Sequence, residues 1–229
     1  MIYSKDSKQE SDVIVFGKSE EQIAQDLENG VSRFGGNFRE PSYSRAYLNS
    51  AKVLLDNAIS TNQLDEFGLP IFYMVRHATE LKLKDLLGLA YDVLKMRHDL
   101  DGSEKSEAEL PSNKQLKRFE SSHEINKLYD DLKVNCKKLD TVVPNFLFDP
   151  VVESIQRYEV APTWSRYHKS NKGLHVANEI ELPIVRLVKD LEAMFKGVSY
   201  DFENYTDTLE SELYHEFNHL MYRLETPEC

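Results

Sequence analysis

The segment Gly68–Leu94 (GLPIFYMVRHATELKLKDLLGLAYDVL) constrains the fold most, because it is apolar around almost its whole circumference when read as a helix. A helix of this kind lies in the middle of a protein. Four polar residues interrupt it and project from one side at about 100° per residue. They are Arg76, His77, Glu80 and Lys84. Because buried charge is costly, these side chains are either paired in the interior or face a cleft.

Three of the four charged and polar positions follow a regular spacing. Arg76, Glu80 and Lys84 stand at i, i+4 and i+8, so they can form a charge ladder along their own helix. Two interpretations remain open. The ladder is either a buried ion-pair seam that orients neighbouring helices, or part of a working site.

The rest of the chain divides into two parts. Residues 1–41 form a peripheral segment that is irregular or contains a short β-strand at residues 13–16 (VIVF), with a small acidic helix predicted at residues 19–27. Residues 42–229 carry apolar positions at the three- and four-residue spacing of helices, which predicts an all-α domain. A polar stretch at residues 97–122 lacks this pattern and is predicted to be an insertion.

Composition limits the classes of function. No apolar run reaches the ~20 residues of a membrane span, and the polar N-terminus does not resemble a secretory signal. The two cysteines, Cys136 and Cys229, lie far apart, so we expect no disulfide framework and a cytoplasmic location. The net charge of −11 argues against a broad nucleic-acid-coating surface but permits a local basic cleft.

Three segments together resemble a known group of helical proteins. Pro70–Leu87 is similar to a P-x5-R-H-x-x-E-x-x-L-K core helix, and His123–Leu132 is similar to an H-x-L-x-x-L helix start with Ile125 at the first Leu position. Trp164–Gly173 is similar to an aromatic-Arg-Tyr-Pro loop, with His168 in place of the Pro. These are features of the HEPN-like superfamily, which the chain resembles.

The resemblance implies a HEPN-like helical bundle that forms a homodimer. Members act as RNA-cutting or nucleotide-handling effectors in toxin–antitoxin and antiviral systems, and others are non-catalytic. It therefore implies a metal-independent endoribonuclease without a cofactor, with RNA or a nucleotide and an antitoxin or defence-system protein as partners. The alternative is a non-catalytic scaffold or sensor that binds a nucleotide or a small anionic ligand.

The ribonuclease members carry an Arg, four to six residues and then a His, and Arg118 and His123 fit this spacing. His123 would be the acid/base on the ribose 2′-hydroxyl, and Arg76, Arg118 or Arg166 would stabilise charge on the phosphorus. The competing interpretation is structural. Residues 121–124 (SSHE) resemble a capping box, so His123 would simply belong to a helix start.

The predicted site also includes side chains that would hold a ligand. Trp164 and Tyr167 could stack on a nucleotide, or Arg166 could instead pair with Glu80 while the Tyr167 hydroxyl bonds to backbone. The candidate catalytic residues are His123, Arg118, Arg76 and Glu80. The candidate ligand-binding residues are His77, Lys84, Trp164, Arg166 and Tyr167.

A second motif, His215-Glu216-Phe-Asn-His219, matches the H-E-x-x-H pattern of zinc proteases. The predicted buried stripe of the same helix includes Leu213 and Leu220 and lies on the other side. Both histidines are therefore expected to face solvent, and no metal centre is predicted.

Overall fold

The structure is a computed structural model that describes residues 19–32, 42–159, 169–170, 173–174, 179–200 and 207–226. It divides into two compact units, residues 1–42 and 43–229. In the first unit, α1 (Glu20–Glu28) is the predicted acidic helix, and the Ser19 side chain accepts a hydrogen bond from the backbone of Gln22 in a capping box. The β-prone residues 13–16 lie outside the described residues.

The second unit is mostly helical, which confirms the all-α prediction. Its helices are α2 (Tyr43–Ser60), α3 (Leu64–Asp101), α4 (Glu104–Glu109), α5 (Asn113–Ser121), α6 (Ile125–Lys138), α7 (Asn145–Tyr158), α8 (Ile184–Val198) and α9 (Leu209–Glu225). Two short strands, β1 (Lys169–Ser170) and β2 (Gly173–Leu174), pair antiparallel and lie between α7 and α8 in the sequence. None of the described helices combines the length and the apolar character needed to cross a membrane.

The central helix α3 organises the unit, as its apolar circumference predicts. It contacts α2, α6, α8 and α9, and its core side chains, including Phe72 and Leu86, are fully buried. The helix extends beyond the predicted segment at both ends and reaches 38 residues. It ends at Gly102, whose φ of 60° is the left-handed conformation that favours glycine at a helix C-terminus.

The stretch at residues 97–122, predicted to be a polar insertion, is largely helical. Its first residues continue α3, and the rest forms the short helices α4 and α5. Ser103 caps α4, and Ser112 forms a capping box with Gln115 at the start of α5. α5 was not predicted because none of its residues is fully buried and its apolar face is limited to Leu116 and Phe119.

The junction between α5 and α6 also differs from the prediction. Ser121 is the last residue of α5, and α6 has Glu124 as its N-cap without a side-chain capping bond. The backbone N–H of Glu124 instead donates to the Ser122 hydroxyl at 3.1 Å. The capping box predicted at residues 121–124 is therefore wrong, and His123 lies in a short junction between two helices.

Candidate functional site

Arg76 is the centre of a buried charge network in the α3 interior. Its side chain is fully buried, and each guanidinium nitrogen donates a hydrogen bond. Nη1 donates to Glu80 Oε2 (3.0 Å), Nη2 donates to the His123 carbonyl (2.6 Å), and Nε donates to Glu159 Oε1. The expected direct contact between Arg76 and a phosphate is therefore wrong, because every nitrogen is engaged inside the protein.

Glu80 receives donors on both carboxylate oxygens. Oε2 accepts from Arg76, while Oε1 lies 2.8 Å from His123 Nδ1 and 3.2 Å from Lys84 Nζ. Burial alone would raise the pKa of Glu80, but the hydrogen bond from His123, the positive charge of Lys84 and the hydrogen bond from Arg76 outweigh it and lower the pKa. Glu80 is thus ionised at neutral pH. At 1% exposure it positions other groups and cannot touch a substrate.

His123 is the exposed end of this network. Its side chain is 51% exposed, although Nδ1 lies against the buried Glu80 carboxylate. An ionised carboxylate only accepts hydrogen bonds, so Nδ1 carries a proton, and in the neutral form of the imidazole Nε2 is the acceptor. Nε2 has no hydrogen-bond partner among the described residues. The arrangement is that of a general base oriented by a carboxylate.

Arg118 does not contact His123, although the spacing motif joins them. Its Nη2 pairs with Asp131 Oδ1 at 2.5 Å, and Gln115 Nε2 donates to the same oxygen at 3.4 Å. Within the described part of the chain, Asp131 Oδ2, Arg118 Nε and the Tyr91 hydroxyl have no hydrogen-bond partner. Burial raises the pKa of Asp131, and the charge of Arg118 only partly opposes this. This second buried carboxylate is incompletely paired.

An open groove of about 600 Å³ runs along α5. It is lined by Asn113, Lys114, Lys117, Arg118, Ser121, Ser122 and Glu124. His123 lies between Ser122 and Glu124 in the sequence, but its side chain is not among those that line the groove. The carboxylate of Glu124 is held by Lys127 at 2.6 Å, whereas Lys114 and Lys117 form no ion pair with any residue that the structure describes. The groove is a local basic surface on an acidic chain.

The remaining predicted ligand residues on α3 lie apart from the groove. The ring of His77 packs edge-on against Tyr47 of α2 (centroids 4.5 Å apart) and stacks on Tyr73 (5.7 Å). His77 therefore belongs to the contact between α2 and α3. Lys84 is 19% exposed and reaches inward to Glu80.

The predicted aromatic and basic loop is not part of the described site. Trp164, Arg166 and Tyr167 lie outside the described residues, as does the alternative pairing of Arg166 with Glu80. Glu80 has Arg76 as its arginine partner.

The H-E-x-x-H motif lies on α9. His215 and His219 are both exposed, which confirms the predicted orientation, and Glu216 pairs with Arg97 of α3 at 2.5 Å. No group of three or more His, Cys, Asp or Glu side chains in the described ranges is placed to hold a metal ion.

Sequence reasoning missed two partners of buried charges on α3. Glu159, just beyond α7, pairs with Arg76 across 83 positions of the chain. Lys82, which is 4% exposed, donates to Glu210 Oε1 of α9 at 2.7 Å, and Glu210 Oε2 accepts from the Tyr200 backbone at 2.6 Å. The sequence does show a lysine in an apolar helix and an acidic first turn of α9, but neither feature indicates that Lys82 pairs with Glu210.

Comparison with family models, with curated proteins and with solved structures gives no match for this chain. The likeness to the HEPN-like superfamily therefore stays a prediction from three sequence segments. The function is argued below from the geometry around His123.

Proposed function

We propose that this protein is a cytoplasmic, RNA-directed effector of a toxin–antitoxin or antiviral defence system, and that it is a metal-independent endoribonuclease. The observation that carries the proposal is the half-exposed imidazole of His123, held at Nδ1 by the buried, ionised Glu80. A histidine held in this way has the correct tautomer and orientation to accept a proton at Nε2.

In the proposed reaction, His123 Nε2 takes the proton from a ribose 2′-hydroxyl, and the 2′-oxygen attacks the adjacent phosphorus. The bond from phosphorus to the 5′-oxygen breaks, and the leaving oxygen takes a proton from water. The products are a 2′,3′-cyclic phosphate and a 5′-hydroxyl. The Glu80 carboxylate stabilises the imidazolium that forms, and the positive charges of the α5 groove favour an anionic phosphate nearby.

Arg76 has a positioning role in this proposal. Through Nη1 it holds Glu80, and through Nη2 it holds the backbone carbonyl of His123. The buried guanidinium thus fixes the backbone of His123 directly and its imidazole ring through Glu80, while the Nε2 edge of the ring stays exposed.

The experiment is cleavage of a mixed-sequence RNA in the presence of EDTA. Cleavage should persist, leave a 2′,3′-cyclic phosphate, and fall by about a hundredfold or more in His123→Ala, the range expected for loss of a general base. The matched control is His215→Ala combined with His219→Ala, because these two exposed histidines lie on α9. The control should cleave like the parent. EDTA-resistant cleavage that is unchanged in His123→Ala would remove this mechanism.

The second candidate is a non-catalytic scaffold or sensor. It is favoured by the closed pairing of Arg76 and Glu80, which leaves these two side chains no access to a substrate. A parent protein that cuts no RNA, but whose thermal unfolding shifts upward with a nucleotide, would support this candidate.

The proposal includes a homodimer and an antitoxin or defence-system partner. Two large apolar side chains near the start of α7, Val142 and Phe146, are 81% and 77% exposed and supply apolar area for a partner surface. Light scattering of the purified protein measures the dimer directly.

A further inference from the structure

The cations of α5 form a line along the groove. Lys114, Lys117 and Arg118 stand at i, i+3 and i+4, which places them on one face of the helix. Asn113 and Ser121 extend this face to both ends, and all five residues line the groove. At 1.5 Å per residue, α5 presents polar and basic groups over about 12 Å.

The charges in this groove do not cancel. Glu124 is paired with Lys127, and Arg118 is paired with the buried Asp131. Lys114 and Lys117 are exposed and have no ion pair among the described residues, so they contribute an excess of two positive charges. Because the whole chain carries a net charge of −11, a polyanion is repelled by most of the surface and attracted here.

The size and openness of the groove favour a strand over a small ligand. It is shallow and open to solvent, and its volume of about 600 Å³ exceeds what a single phosphate fills. None of the lining residues is aromatic, so they offer no stacking platform for a base. Contacts with phosphates fix the position of a strand without reading its sequence.

We infer that α5 is a track for the backbone of single-stranded RNA, with Lys114, Lys117 and Arg118 contacting roughly three successive phosphates. This inference rests on the proposed function and names the route of its substrate. One end of the groove is formed by Ser122 and Glu124, the two residues next to His123 in the sequence, so the track ends near the helix junction that carries the proposed acid/base. Binding is expected to depend little on base sequence.

The test is the binding of a fluorescent 2′-O-methyl oligoribonucleotide, followed by anisotropy over a series of salt concentrations. This probe keeps the RNA backbone but lacks the 2′-hydroxyl nucleophile, so it reports binding whether or not the protein cuts RNA. Lys114→Gln combined with Lys117→Gln should weaken binding at low salt by about tenfold or more. The slope of log K against log salt should become shallower by about 1.4, because each phosphate contact of a single strand contributes about 0.7.

The matched control is Lys189→Gln combined with Lys196→Gln on α8. Both lysines are exposed and have no ion pair among the described residues, so the change in net charge is identical. This variant should bind like the parent, and both variants should unfold at the parent's temperature. Equal weakening in the two variants, or polyglutamate that competes as well as unlabelled RNA, would overturn the inference. If the parent protein binds the probe but does not cut unmodified RNA, the nuclease proposal alone fails.

Discussion

Two buried carboxylates, Glu80 on α3 and Asp131 on α6, have similar surroundings and opposite behaviour. Each is at most 5% exposed, and each pairs with an arginine, Glu80 with Arg76 and Asp131 with Arg118. Glu80 has donors on both oxygens, and its pKa is lowered. Asp131 has donors on Oδ1 alone among the residues that the structure describes, and its pKa is raised. The number and charge of the donors, more than burial, decide whether an interior carboxylate is stable as an anion.

The difference matches the position of each carboxylate relative to the proposed chemistry. Glu80 has three partners that keep it ionised, so it can hold the exposed His123 in one tautomer. Asp131 depends on Arg118, which also lines the groove. An anion in the groove would therefore compete with Asp131 for the same guanidinium.

The largest expected effect in this comparison is on stability. Glu80→Ala should lower the free energy of unfolding by about 3 kcal/mol or more, because it leaves Arg76 buried with one fewer counter-charge. Urea denaturation measures the change. The control is Glu192→Ala, whose pair with Lys52 is exposed on both sides and should be worth less than about 1 kcal/mol. If the two variants lose equal stability, Glu80 is not part of a buried network.

A smaller effect separates the two carboxylates by the sign of their pH dependence. The folded pKa of Glu80 lies below its ordinary value of 4.5, so its stabilising contribution is present above that value and is lost as the pH falls through the folded pKa. The folded pKa of Asp131 lies above 3.8, so its contribution is greatest below that value and is lost as the pH rises through the folded pKa.

Glu80→Gln and Asp131→Asn isolate these contributions. The stability gap between the parent and Glu80→Gln should narrow on acidification below about pH 4.5. The stability gap between the parent and Asp131→Asn should change in the opposite direction, so that the parent gains stability relative to the variant as the pH falls. Urea unfolding from neutral pH to about pH 3 measures both gaps. Gaps that move in the same direction would contradict the difference between the two sites.

Features that depend on residues within a single helix could be predicted from the sequence. The central position of α3 follows from its apolar circumference, and the pair between Arg76 and Glu80 follows from the i, i+4 spacing within the same helix. The short helix α5 was missed because its regular face is basic, with Lys114 and Lys117 in place of apolar residues. Hydrophobic periodicity alone does not reveal a helix of this kind.

Partners from distant segments could not be predicted. Glu159 lies 83 positions from Arg76, and Glu210 lies 128 positions from Lys82, so only the packing of separate helices brings each pair together. The same limit explains His123. Its link to Glu80 spans 43 positions and depends on where α6 begins against α3.

The contact between His123 Nδ1 and Glu80 Oε1, at 2.8 Å, connects the buried network to the exposed imidazole. A double-mutant cycle with Glu80→Gln, His123→Ala and the double variant measures its energy by urea denaturation. A coupling of about 1 kcal/mol is expected for a charge-assisted hydrogen bond to a half-exposed ring. Effects that add to within about 0.3 kcal/mol would mean that Glu80 does not hold His123, and would contradict the proposed acid/base.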